Sequence, residues 1–173
     1  GHAGYAALAE LQLAGLHLKA DKPKEALAVF EKLAIAPGTD PNLKTFAAVQ
    51  AAALRLDEAD FTEMQNRLND LANGTSPWRL PAKELLATSA YKAGKLDEAR
   101  KLLMALLVEP EAPRGMLERV QLLLGAVAAS EVTTAATATP AATAATAPAA
   151  PAAPESGAKE GTPTPAASEA APG

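Results

Sequence analysis

Apolar residues over the first 131 positions recur three and four apart, and no window alternates with the period of a strand. Phe61, Met64, Leu68 and Leu71 fall at spacings of 3, 4 and 3, while Ala26, Leu27, Phe30 and Leu33 share one helical face. Pro, Gly and Asn divide this pattern into short segments. The spacing predicts helices over 3–20, 23–35, 42–56, 58–71, 97–108 and 114–130, with another opened by Ser76-Pro77 and ending near Gly94. Asp21 and Asp40 are expected to cap the helices that follow them, and Pro41 suits a first turn. Asn73-Gly74 suits a left-handed C-terminal cap, and Pro81 is tolerable only within a first turn. The first helix differs from the others. Tyr5, Ala6, Ala7, Leu8, Leu11, Leu13, Ala14, Leu16 and Leu18 cover most of its circumference. A helix that is apolar all round is usually buried on more than one side, so an upstream helix is expected to cover it.

Composition changes where the folded part is expected to end. The hydrophobic content is 49% overall, but residues 132–173 hold 17 Ala, 8 Thr and 7 Pro and no Leu, Ile, Met or aromatic residue. Such a segment cannot bury enough apolar surface to offset chain entropy. The expected division is a helical domain over 1–131 and a disordered Ala/Thr/Pro-rich tail over 132–173. A net charge of −4 argues against nucleic acid, whose affinity comes largely from Lys/Arg contacts to phosphate. The absence of cysteine excludes thiolate catalysis, disulfides and Cys-ligated zinc. His2 and His17 are the only histidines, too few for a histidine-rich metal site. No apolar run reaches the roughly 18–20 residues that span a bilayer.

Three strings recur at the expected helix junctions: Lys22-Pro23-Lys24-Glu25-Ala26, Arg55-Leu56-Asp57-Glu58-Ala59 and Lys95-Leu96-Asp97-Glu98-Ala99. Their alanines are 33 and 40 residues apart. A small residue there lets two helices cross closely, and an acidic pair before it favours the positive end of a helix. A two-helix unit recurring about every 34 residues is the tetratricopeptide (TPR) spacing, and the chain resembles that family. Leu86, Ala87, Tyr91, Gly94, Ala99 and Leu103 follow its pattern, with Pro110 near the closing proline; Leu13, Ala14, Ala26 and Phe30 do so in the first repeat. The middle repeat departs from it, with polar Glu63 and Asn66 at expected core positions. The fold this implies is all-α: a TPR-like right-handed superhelical solenoid of antiparallel helix pairs with a C-terminal capping helix and the disordered tail.

Gly4-Tyr5-Ala6-Ala7-Leu8-Ala9, Ser76-Pro77-Trp78-Arg79 with Ala82-Lys83-Glu84-Leu85-Leu86, and Glu109-Pro110-Glu111-Ala112-Pro113 carry a narrower resemblance. These strings are similar to the proteobacterial ancillary SecYEG translocon subunit and cell-division coordinator TPR family, alphaproteobacterial type. The resemblance implies a bacterial inner-membrane protein whose soluble domain is periplasmic. Its transmembrane anchor would lie upstream of Gly1. It also implies a role linking secreted chains at the Sec translocon to periplasmic chaperones, or, alternatively, an adaptor in an envelope or cell-division assembly.

Enzyme readings are weak. Asp57-Glu58, Asp60 and Asp97-Glu98 sit at expected helix starts, where capping explains them; Gly94 and Gly115 are isolated and build no phosphate loop. No cofactor is expected, and the partners are expected to be proteins. TPR solenoids bind along a concave surface lined by the first helix of each pair. By the family pattern that surface carries Leu11, Leu18 and Lys19, then Lys44, Ala48 and Ala51, then Glu84, Thr88, Tyr91 and Lys92. The mixture has a small apolar stripe and few lysines, which suits weak recognition of extended or unfolded chains; an ordinary solvated helix face is the simpler alternative.

Overall fold

The computed structural model describes the chain from residue 2 to residue 138, and its side chains from residue 4 to residue 135. The remainder of the Ala/Thr/Pro-rich segment lies outside the described residues. Within them the chain is all helix and irregular connection: α1 (His2–Lys19), α2 (Pro23–Ile35), α3 (Pro41–Arg55), α4 (Phe61–Asn73), α5 (Arg79–Lys92), α6 (Leu96–Leu107) and α7 (Arg114–Ala138). Each helix packs on its neighbours in sequence, and α5 also meets both α3 and α7. The buried side chains form three successive clusters. Ala14, Ala26, Phe30, Leu33 and Ala47 join α1, α2 and α3. Met64, Leu68, Ala82 and Leu86 join α4 to α5, with Val49 and Ala52 from α3. Ala99, Leu103, Leu106, Val120 and Val127 hold α6 and α7 against α5.

The hairpins α1–α2 and α5–α6 repeat one another at an offset of 73 residues. Asp21 and Gly94 both take positive φ, 56° and 70°. The next amide in each closes the same backbone ring: Lys22 N–H donates to His17 O and Lys95 N–H to Ala90 O, both at 2.9 Å. This is the hydrogen bond of a left-handed helix end. Glycine meets that conformation without steric cost at Gly94; Asp is one of the few other residues that tolerates it. The expected capping by Asp21 is therefore not what occurs. Asp21 belongs to the end of α1, and Lys22 stands at the start of α2 without a side-chain cap bond.

Four further boundaries differ from the sequence reading. First, α4 begins at Phe61, because Asp60 rather than the Asp57-Glu58 pair caps it: its carboxylate accepts from Glu63 N–H at 2.7 Å. Second, Leu56-Asp57-Glu58-Ala59 consequently lies wholly in the connection, whereas Leu96-Asp97-Glu98-Ala99 opens α6. Third, Gly74 is extended, with φ −79° and ψ −174°, and is not a left-handed cap. Glycine is favoured there by close approach, since a Cβ would meet Asp70 O at 3.1 Å. Fourth, α7 continues from the expected end at Ser130 to Ala138. Alanine has the highest helix propensity, and the helix leaves the Ser130, Thr133 and Thr134 hydroxyls satisfied, each donating to the carbonyl four residues earlier. Asp40 caps α3 as expected, accepting from Asn42 and Leu43 N–H, and Pro81 falls in the first turn of α5.

These shifts relocate the middle repeat. The fourth residues of α2, α4 and α6 are Ala26, Met64 and Ala99, and each is fully buried. Met64, not the half-buried Ala59, occupies the crossing position. Its bulk accompanies a looser pair: α3 and α4 meet over a far shorter length than α1 with α2 or α5 with α6. Ion pairs occupy the space between them. Glu63 accepts from Arg55 at 3.0 and 3.1 Å and from Arg67 at 2.9 Å, and Arg67 reaches on to Glu31 of α2 at 3.0 Å. The Arg55 hydrogen bonds, followed by those of Arg67, hold the Glu63 carboxyl below its ordinary range.

Candidate binding face

The ten residues expected on a concave surface do not form one continuous patch. Leu11 packs, partly buried, against the α1–α2–α3 core, while Leu18 and Lys19 are exposed at the end of α1. Ala51 is 2% exposed and offers no surface; Lys44 and Ala48 are half-buried. α1 and α3 make no close backbone approach among the described residues, and what the first two groups share is the core, where Leu11 packs against the cluster that holds Ala51. Lys92 turns back to the α3–α4 connection, donating to Leu56 O at 3.1 Å and pairing with Asp57.

Glu84, Thr88 and Tyr91 are brought together, one helical turn apart along α5 on the face turned to α7. Arg119 of α7 grips Glu84 through Nε at 2.6 Å and Nη2 at 2.9 Å. Hydrogen bonding to Glu84, reinforced by its charge, raises the Arg119 guanidinium above its ordinary value. Thr88 donates to Glu84 O, and the Tyr91 hydroxyl lies 3.5 Å from Ser130 Oγ. Between the Glu84–Arg119 pair and the middle of α7 lies a groove of about 380 Å³, lined chiefly by Leu122, Leu123, Ala126 and Thr88. Leu122 is 78% exposed beside it. Chemically this is an apolar slot with one charged, hydrogen-bonded edge. It can accept an aliphatic side chain and offer polar groups to a neighbouring peptide backbone.

The sequence reading missed Arg119 and Leu122 because it treated α7 as a cap only. A signal was present: Met116, Val120, Leu123 and Val127 mark the packed face at spacings of 4, 3 and 4, which leaves Arg119 and Leu122 on its edge.

Trp78 sits in the junction between α3 and α5. Its ring lies 4.8 Å from that of Phe46, which in turn packs edge-on against Phe30 at 6.3 Å. Small grooves open on both sides of it, one toward Leu43 and the other toward Pro113 and Met116. Below it, Glu109 receives Lys83 at 2.6 Å and Arg79 at 3.0 Å, tying the end of α6 to α5. The Lys83 hydrogen bond is the main reason the Glu109 carboxyl is held below its ordinary range.

No helix among the described residues is long and apolar enough to cross a membrane. Comparison with protein-family models, curated proteins and solved structures finds no match to this chain.

Proposed function

We propose that the chain is a TPR-like right-handed solenoid of three antiparallel helix pairs closed by α7, acting as a non-catalytic protein-binding scaffold. The 73-residue correspondence of α1–α2 with α5–α6, down to the turn hydrogen bonds, supports the repeat reading. The observation that carries the binding reading is the apolar slot between α5 and α7, with exposed Leu122 at its mouth and the Glu84–Arg119 pair at its edge. In this reading the bound segment is an extended apolar stretch of an unfolded secreted chain. The resemblance in the sequence adds the setting: the periplasmic side of the bacterial inner membrane, beside the Sec translocon, with hand-over to periplasmic chaperones.

The test is suppression of aggregation of a chemically unfolded client by the full chain. Leu122→Glu is expected to weaken suppression at least several-fold while leaving the melting temperature unchanged, since Leu122 is largely exposed. Unchanged suppression overturns the assignment of binding to this slot. Photo-crosslinking from position 122 in cells addresses the setting: translocon subunits, chaperones or secreted chains support it, and division proteins alone replace it with the adaptor reading.

A further inference from the structure

The helices fall into two groups. α1, α2 and α3 pack on one another in succession, as do α4, α5, α6 and α7. Between the groups, α3 approaches α4 less than any other helix approaches its successor, and it approaches α5 less still. Interdigitated side chains along a helix pair fix its angle. A short contact leaves that angle to whatever ties the two ends of the seam.

Those ends are tied differently. α4 runs back along α3, so residues 56–60 close one end, and Trp78, beyond the far end of α4, returns to Phe46 near the start of α3. At the closed end Arg55 donates to Glu63 at 3.0 Å, and Lys92 of α5 donates to Leu56 O at 3.1 Å. At the other end a groove of about 420 Å³ enters the seam between Trp78 and Asp40, Asn42, Leu43 and Phe46. Between the two ends Arg67 of α4 pairs with Glu31 of α2 at 3.0 Å. Both side chains are partly open to solvent, where salt screens their attraction. Arg67 keeps Glu63 as a second partner at 2.9 Å, so release of Glu31 strands no cation.

We propose that this seam is a salt-sensitive hinge, with residues 56–60 as its pivot and the Glu31–Arg67 pair as its clasp. Release of the clasp lets the two groups swing apart at the Trp78 end and widens the groove beside Leu43 and Phe46. A hinge places its backbone change in a few residues between elements, which is what 56–60 supply. No helix has to unfold. The first group keeps its core of Ala14, Ala26, Phe30 and Leu33, and the second keeps Leu103, Leu106, Val120 and Val127. The slot between α5 and α7 lies wholly within the second group, so the hinge does not rest on it.

The internal repeat supplies reporter positions. Ile35 and Val108 end α2 and α6, one on each group, on the Trp78 side, and both are exposed. Lys24 and Asp97, also exposed, sit at the starts of the same two helices, on the pivot side. The chain has no cysteine, so Ile35→Cys with Val108→Cys, and Lys24→Cys with Asp97→Cys, each carry two spin labels in the full chain. Pulsed electron resonance is expected to show a second, longer distance for the Ile35/Val108 pair. Its share is expected to rise roughly two- to fivefold on Glu31→Gln, the span of an exposed ion pair. The parent is expected to reach the same share in about 1 M sodium chloride, and Glu31→Gln to respond no further. The Lys24/Asp97 pair is expected to change far less. Glu10→Gln, which removes the Glu10–Lys32 pair inside the first group, is expected to match the parent. In the unlabelled chain, acrylamide quenching of Trp78 is expected to rise with salt and to be raised already in Glu31→Gln, with far-ultraviolet ellipticity unchanged. One fixed distance under every condition, equal lengthening at both label pairs, the same response in Glu10→Gln, or loss of ellipticity alongside the longer distance each overturns the hinge.

Discussion

In α1–α2 and α5–α6 the second helix crosses over an alanine; in α3–α4 it crosses over a methionine. Ala26 and Ala99 bring two backbones together and let the pair pack along its length. Met64 fills the same position with a flexible chain, and the two helices meet over a short stretch. Arg55, Glu63, Arg67 and Glu31 bridge what the apolar contact leaves open. The outer pairs are thus held by close apolar packing along their length, the middle pair by a shorter apolar contact through Met64 and Leu68 together with charge. One fold accommodates both, because each helix packs mainly on its neighbours in sequence.

Met64→Ala tests whether methionine is needed at the middle crossing. If α4 is propped by a filled space, truncation leaves a cavity and costs about 2–5 kcal/mol in urea unfolding. A neutral result would mean that α4 closes onto α3 as in the outer pairs, and the contrast would fail. Ala99→Leu tests the opposite case. Overpacking the tight crossing is expected to cost about 1–3 kcal/mol. Ala59→Leu, in the connection before α4, is expected to cost about 0.5 kcal/mol or less. Equal losses would restore Ala59 to the crossing position and remove Met64 from it.

The charged half of the comparison has a pH signature. Glu63 is held below its ordinary range by Arg55 and then Arg67. Its contribution is present above the unfolded-state value, near pH 4.3 or so for glutamate, and is lost as pH falls through the lower folded value. Glu63→Gln is therefore expected to lower the melting temperature modestly at neutral pH and to flatten its fall on acidification. Part of the fall remains, because Glu109 is depressed in the same direction by Lys83. An acid profile identical to the parent's would show that the network does not stabilise the middle pair.

Most helices and their order were legible in the sequence because α2, α4 and α6 carry a stripe of period 3.6 and Pro, Gly or Asn lies near most helix ends. The register of the middle repeat was not. Leu-Asp-Glu-Ala at 56–59 and 96–99 is the same string in two structural positions, and identity of letters does not fix where a helix begins. Hydrogen-bond competition decides it: Asp60, three residues before Glu63, offers a cap that Asp57 cannot match. Of the expected face, Glu84, Thr88 and Tyr91 emerged together since one helix carries all three. The Leu11, Ala48 and Ala51 positions depended on how successive helices are set, which spacing along one helix does not encode. Spacing along α7 leaves Arg119 and Leu122 off its packed face, but their place beside Glu84 depended on how α7 is set on α5.

Trp78 gives the molecule a built-in optical reporter. It is the sole tryptophan, and it stacks where α3 meets the start of α5 rather than inside either outer pair. Its emission therefore follows the polarity of that one seam, while far-ultraviolet circular dichroism averages over every helix. In a denaturant titration the two signals coincide if the chain melts as a unit. If the seam between the tightly packed and the charge-bridged pairs opens first, the fluorescence reddens while most of the ellipticity persists.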